Sequence, residues 1–513
     1  MNRRKLFQPL ALFLLVSSTA LLGRAEVRLP KLFSSHMVLQ RNQPIHIWGW
    51  SDPGESVSAA LNGVTATATG DSLGHWSLYL PPQSAGGPFQ LTVTGTNKIT
   101  LDDILMGDVW FASGQSNMEM PLKGFPGSAV VNNGDEEIKA ANHPNIRLFF
   151  VDHKASNYPL NDFAGDASWT VCTPDTAAKF SAVAYFFGRD VADKERVPIG
   201  LIDSTWGGTP GASWVSMDGI ASDASLMPVF AAHAERIDKQ ADVPAMIAAE
   251  KREDAAARAA NRPAPKHSWH PDLSSWAPAA LFNGMVAPAV PFAIKGVIWY
   301  QGESDSSPEL APLYHATFSK LISDWRMHWR EGNFPFFFVQ ISAFKSPHEF
   351  WPIVREAQRR TLSLVNTGMA VTTDIGNPTN VHPADKQTVG ARLALAAEAV
   401  AYGEHVEYAG PLFRQATTDG SNMRVWFDHA DGLTARGGTL EGFEVAGQDH
   451  HFVPATARID GATVLASSPQ VAHPEYVRFG WKDFPVVNLF NSVGLPASPF
   501  TSEEKIPAPA PLQ

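Results

Sequence analysis

Gly296-Val-Ile-Trp-Tyr300 is an uncharged apolar run that stops abruptly at Gln301-Gly-Glu-Ser-Asp305. Val109-Trp-Phe-Ala112, Ile199-Gly-Leu-Ile-Asp203, Phe336-Phe-Phe-Val-Gln340 and Met369-Ala-Val-Thr-Thr373 have much the same form. A strand that is apolar almost throughout is buried on both faces, which is the condition of a parallel sheet covered by helices. The intervening segments supply the helices. Tyr314, Phe318, Leu321, Trp325 and Trp329 share one helical face, and Val389, Leu393, Ala396 and Val400 share another. Strand followed by helix, repeated over residues 106–405, predicts an α/β fold with a parallel doubly wound sheet.

On either side the pattern is β. Val57-Ser-Ala-Ala-Leu61, Trp76-Ser-Leu-Tyr-Leu80 and Phe89-Gln-Leu-Thr-Val93 alternate with period two between turn residues, which predicts a β-sandwich domain over 26–105. Met423-Arg-Val-Trp-Phe427, Phe443-Glu-Val-Ala446 and Val477-Arg-Phe-Gly-Trp481 predict a C-terminal β-sandwich-like domain over 406–505, with a disordered tail at 506–513. Residues 231–271 are a charged, Pro/Ala-rich insertion, read as a surface helix and loop with a lid over a cleft as the alternative.

Arg3, Arg4 and Lys5 precede an apolar stretch from Leu10 to Leu22, and Gly23 and Ala25 stand at cleavage spacing. This predicts a signal peptide over 1–25 and a secreted or periplasmic protein without a stable membrane anchor, since the stretch is shorter than the roughly 20 residues that span a bilayer. The chain of 513 residues carries a formal charge of −11, the wrong sign for a nucleic-acid partner. With one cysteine, Cys172, no intrachain disulfide is possible, and its apolar setting marks it as a structural thiol. No G-x-x-x-x-G-K-[ST] phosphate loop is present. His450-His451 lacks ligand spacing, and Pro347-His-Glu-Phe-Trp351 lacks the second histidine of H-E-x-x-H, so neither a metal nor a cofactor is expected. Oligomeric state is left open.

Ligands of open parallel sheets bind beyond the carboxyl ends of the strands. The loops there are Gly114-Gln-Ser-Asn-Met118, Trp206-Gly-Gly-Thr209, Gln301-Gly-Glu-Ser-Asp305 and Asp374-Ile-Gly-Asn-Pro-Thr-Asn-Val-His-Pro383. A turn serine or a loop histidine alone is ordinary. Together they are the parts for acyl transfer: a hydroxyl, an imidazole to take its proton, and N–H donors for the developing oxyanion. The candidates are Ser116 as nucleophile and His382 as base, with the Ser116 N–H, a Gly207 or Gly208 N–H and the Gln301 amide as oxyanion donors. G-x-S-x-M lacks the second glycine of the lipase elbow. An imidazole near its ordinary value of about 6.5 predicts activity that falls below about pH 6.

These blocks, with Met37-Val-Leu-Gln-Arg41, Ile47-Trp-Gly-Trp-Ser-Asp-Pro-Gly54, Leu281-Phe-Asn-Gly-Met285, Ile298-Trp-Tyr-Gln-Gly-Glu303, His382-Pro-Ala-Asp-Lys386 and Val389-Gly-Ala-Arg-Leu393, resemble the sialate O-acetylesterase family, of SGNH type. The resemblance implies a flavodoxin-like SGNH domain with accessory β domains, Ser116 and His382 as nucleophile and base, and removal of O-acetyl groups from sugars or glycans. Asn117 and Glu303 lie in the matching blocks and are expected to support the site. SGNH esterases often place an Asp three residues before the His, where this chain has Thr379. Asp374 is the first choice for the third triad member, with Asn380, Glu303 or a backbone carbonyl as alternatives. The resemblance puts a sialate 9-O-acetyl ester first, with acetylxylan the runner-up and pectin and other acetylated glycans also open. A sialate carboxylate would call for an arginine, with Arg355 and Arg359 as candidates. The rival of another class is a noncatalytic sugar-binding protein on an esterase scaffold.

Overall fold

The computed structural model describes residues 26–346 and 350–505. The signal peptide and tail expected from the sequence lie outside the described residues.

Seven strands form the path that positions the site: β1 (Lys98–Gly114), β2 (His143–Phe150), β3 (Trp169–Cys172), β4 (Ile199–Thr205), β5 (Gly296–Tyr300), β6 (Phe336–Gln340) and β7 (Thr367–Val371). Their order across the sheet is β7-β6-β5-β1-β4-β2-β3. All neighbours are parallel except β2 and β3, which run antiparallel at one edge. β4, β5 and β6 are buried at every position, so both faces of the sheet are covered, as their unbroken apolar sequence requires.

The sheet is larger and more mixed than the expected parallel one. β1 is 17 residues long, and its first half pairs antiparallel with Gly86–Thr94 and parallel with Val38–Gln40. The boundary expected at 105/106 falls inside this strand. One hydrophobic core accordingly runs from Val27 to Ala397, across both sides of that position. The period-two alternation of the first hundred residues is real: Ile45–Trp50 and His75–Leu80 pair antiparallel and each buries every second side chain. A second core, Met423 to Phe500, is built by short antiparallel strands of the C-terminal part.

The helices that bear on the site and its surroundings are α1 (Ser116–Glu119), α2 (Ala182–Glu195), α3 (Val243–Ala259), α4 (Tyr314–Trp329), α5 (Trp351–Thr361) and α6 (Lys386–Ala396). α4 buries Phe318, Leu321, Trp325 and Trp329, the face its spacing predicted. α6 packs on α2 so closely that a Cβ on Gly390 would lie 2.6 Å from Phe186 Cβ. α3, in the insertion, is largely exposed, with Val243 and Ala257 buried. Cys172 is buried and its thiol is pushed up to about 12 by burial, which leaves no thiolate for chemistry. Among the described residues no helix is long and apolar enough to cross a membrane.

Candidate active site

Register brings the loops together. Gly114, Thr205 and Tyr300 stand side by side in one row across β1, β4 and β5, so the segments that follow them leave the sheet at one edge. At Gly114 φ is +136°, and a Cβ would lie 2.2 Å from the Tyr300 carbonyl oxygen. Only glycine turns the chain there. Gln115 then stitches two loops: its N–H donates to Tyr300 O at 3.0 Å and its Oε1 accepts from Ser304 N at 3.1 Å. Ser116, half-buried, opens the single turn α1 immediately afterwards.

His382 arrives from the far side of the sheet, on the long loop between β7 and α6. Because α6 returns to pack against α2, that loop is drawn back over the carboxyl ends of the strands. There His382 Nε2 lies 2.8 Å from Ser116 Oγ, a hydrogen bond between residues 266 apart in sequence. The imidazole is half-buried and packs edge-on against Phe125 at 5.3 Å.

No carboxylate is hydrogen-bonded to the imidazole among the described residues, and the expected third member requires correction. Both oxygens of Asp374 are taken by Arg392 of α6, each at 2.7 Å, a bidentate pair that ties the loop to the helix. Asn380 accepts from the His382 main-chain N–H at 2.9 Å and so shapes the backbone rather than orienting the ring. Glu303 turns to Asn117, whose Nδ2 donates to Glu303 Oε1 at 2.5 Å and to Val381 O at 3.0 Å. Asn117 Oδ1 in turn accepts from Lys386 Nζ at 2.5 Å. The asparagine next to Ser116 thus fixes the residue before His382.

Lys386 is given no role by any sequence motif, and it adds a charge to a site whose electrostatics burial dominates. It is fully buried, and burial pulls its ammonium down to about 7 against the opposing carboxylates of Glu303 and Asp385. Burial also raises Glu303 above the usual carboxylate range. For His382, burial and the nearby Lys386 cation act in the same direction and push the imidazole down to about 4. The ring is therefore neutral across the neutral and mildly acidic range, the form that can accept the Ser116 proton.

Two of the expected oxyanion donors are committed to other acceptors. Gly207 N–H donates to Glu119 Oε2 at 2.6 Å. Gln301 is buried, and the two hydrogens of its amide go to Thr209 O at 3.1 Å and Asp305 Oδ2 at 2.5 Å while Tyr314 OH donates to its Oε1 at 3.0 Å. Both groups are consumed inside the fold. The N–H groups of Ser116 and Gly208 donate to no acceptor among the described residues. Glu119, which no sequence motif marks, holds the 206–208 turn beside Ser116: an ideal Cβ on Gly207 would lie 3.1 Å from Ser116 Cβ.

Residues 269–399 match the family described as carbohydrate esterase, sialic acid-specific acetylesterase, a stretch that holds His382 but not Ser116. The sialate O-acetylesterase of Rattus norvegicus is 30% identical over 528 aligned residues, covering 93% of this chain and 94% of that protein. The chain belongs to the sialate O-acetylesterase family. The human member is 32% identical, with 75% of this chain and 73% of that protein covered. A solved carbohydrate acetylesterase from Xanthomonas citri shares 37% identity and superposes with a TM-score of 0.80, over 93% of this chain and all of that one. Membership places the chain among carboxylic ester hydrolases.

Proposed function

We propose that the protein is an exported serine esterase that removes O-acetyl groups from carbohydrates through an acetyl-enzyme intermediate, on an SGNH-type scaffold flanked by β domains. The observation that carries this is the 2.8 Å hydrogen bond between Ser116 Oγ and a His382 imidazole kept neutral by its surroundings. His382 takes the hydroxyl proton as Ser116 attacks the ester carbonyl, and the sugar hydroxyl leaves with that proton. Water then repeats the sequence on the acetyl-serine. The Ser116 and Gly208 N–H groups serve as the oxyanion donors, with Glu119 and Asn117 holding the two loops in register.

Among sugars, the family and the relatives point first to O-acetylated sialates. A specific observation favours a second reading, acetylxylan or another neutral glycan. The arginines expected to meet a sialate carboxylate face elsewhere: Arg355 is buried and donates to the carbonyls of Ile341, Ser342, Lys482 and Asp483, and Arg359 is paired with Glu356. Acetate release from acetylated sialic acid, xylan and pectin, by the wild type and Ser116→Ala, separates these readings. Release from one class that vanishes in the variant supports the esterase and names its sugar. Binding without release from any of them overturns it.

A further inference from the structure

Two tryptophans meet Gly208, and they are used differently. Trp276 is 8% exposed, and its Nε1–H donates to Gly208 O at 2.8 Å while Arg236 lies 4.1 Å above its ring. That indole is a structural prop. Trp269, from the end of the 231–271 insertion, is 70% exposed. It approaches Gly208 by the Cη2–Cζ2 edge of its ring, so closely that a Cβ on Gly208 would lie 2.7 Å from Cη2. Gly207 and Gly208 separate that edge from Ser116 and, at about 3.8 Å per residue, put it on the order of 10 Å from the nucleophile. This is the reach of one acetylated sugar ring.

An exposed indole on a loose loop would need no explanation. This one is mounted. His267 Nε2 meets Asp254 Oδ1 at 3.0 Å and His270 Nε2 meets Glu250 Oε1 at 3.0 Å, so the residues on either side of Trp269 are fastened to α3. The segment has no regular secondary structure of its own to hold it. Fixing a large apolar ring in water, beside a nucleophile, leaves ring surface with no protein partner.

We infer that Trp269 is a substrate-binding platform, on which the pyranose ring of an acetylated sugar stacks while its ester reaches Ser116. The inference rests on the esterase reading above and extends it to a subsite. One face of a pyranose is a row of C–H bonds, apolar enough to lie on an aromatic ring, and the indole N–H is left to meet a hydroxyl. The insertion thereby contributes a wall of the site that the sheet does not build.

The test compares two acetate esters that differ in the ring: per-O-acetylated methyl β-xylopyranoside and triacetin, which has none. Trp269→Ala is expected to lower kcat/KM on the xyloside about tenfold, through KM, with triacetin turnover unchanged within about twofold; tenfold corresponds to about 1.4 kcal/mol. Trp269→Tyr is expected to restore at least a third of the xyloside value. Equal losses on both esters would show that Trp269 only props Gly208, and unchanged kinetics on both would show that it does nothing; either overturns the inference. A wild type inactive on both esters would sink the esterase reading itself.

Discussion

His382 and His267 are the same side chain in opposite settings. In the loop over the sheet, the carboxylates near His382 are turned to other partners, Asp374 to Arg392 and Glu303 to Asn117, and the ring is left buried beside a lysine. In the insertion, His267 is fastened directly to Asp254, and that hydrogen bond with the charges of Asp254, Glu250 and Glu253 raises its pKa. One environment favours the neutral imidazole; the other favours the imidazolium. The difference lies in where the neighbouring carboxylates are spent, and it separates the residue proposed to move protons from one that holds a loop.

The largest effect tests the first setting. Ser116→Ala is expected to cut acetate release from an aryl acetate by at least about a thousandfold, the scale of losing a triad member. Turnover within tenfold of wild type would place the chemistry elsewhere. Next comes Lys386→Met. Without its ammonium, Asn117 Oδ1 loses its donor and the hold on Val381 slackens, for an expected fall in kcat of about a hundredfold. The same change removes a push on His382. In wild type the base is lost as pH falls through about 4; in the variant that acidic limb is expected to move upward, toward the ordinary imidazole value of about 6.5. An unmoved limb would detach Lys386 from the base.

Asp374→Asn is a smaller change that sharpens the comparison. A true triad aspartate loses about 10⁴ in kcat on amidation. Here the expected result is a loss of less than about tenfold, with a lowered melting temperature because one oxygen of the Arg392 pair becomes an amide nitrogen.

The sequence made this architecture partly readable. Apolar runs ending at Gly-rich loops are dictated by burial on both faces, so β4 to β7 and the loops bearing Ser116 and His382 could be read from residues alone. Which carboxylate meets which base could not, because Arg392 reaches Asp374 only after α6 folds back on α2. Gln301 departs from expectation for a related reason: an amide in the right loop donates inward once Thr209 and Asp305 are placed beside it. Lys386 did leave a signal. With Val389, Gly390 and Leu393 it sits on the buried stripe of α6, and a lysine in an apolar stripe marks a charge the fold keeps for a reason. Trp269 left another, as a large aromatic in a polar, Pro/Ala-rich insertion.

The smallest expected effect belongs to the second setting. His267→Gln removes one of the two fasteners of the Trp269 segment and leaves His270 on Glu250. Because the other fastener remains and solvent screens the lost pair, kcat/KM on an acetylated xyloside is expected to fall only about twofold to threefold, with triacetin unaffected. The sign with pH distinguishes it from the base. A histidine with a raised pKa holds its carboxylate fully at low pH and releases it as pH rises through that raised value. The variant's deficit is therefore expected to be greatest in the mildly acidic range, above the His382 limb near 4, and to shrink as pH rises past the point where wild-type His267 has itself let go. A deficit that grew with pH would mean that the clamp acts through something other than the imidazolium.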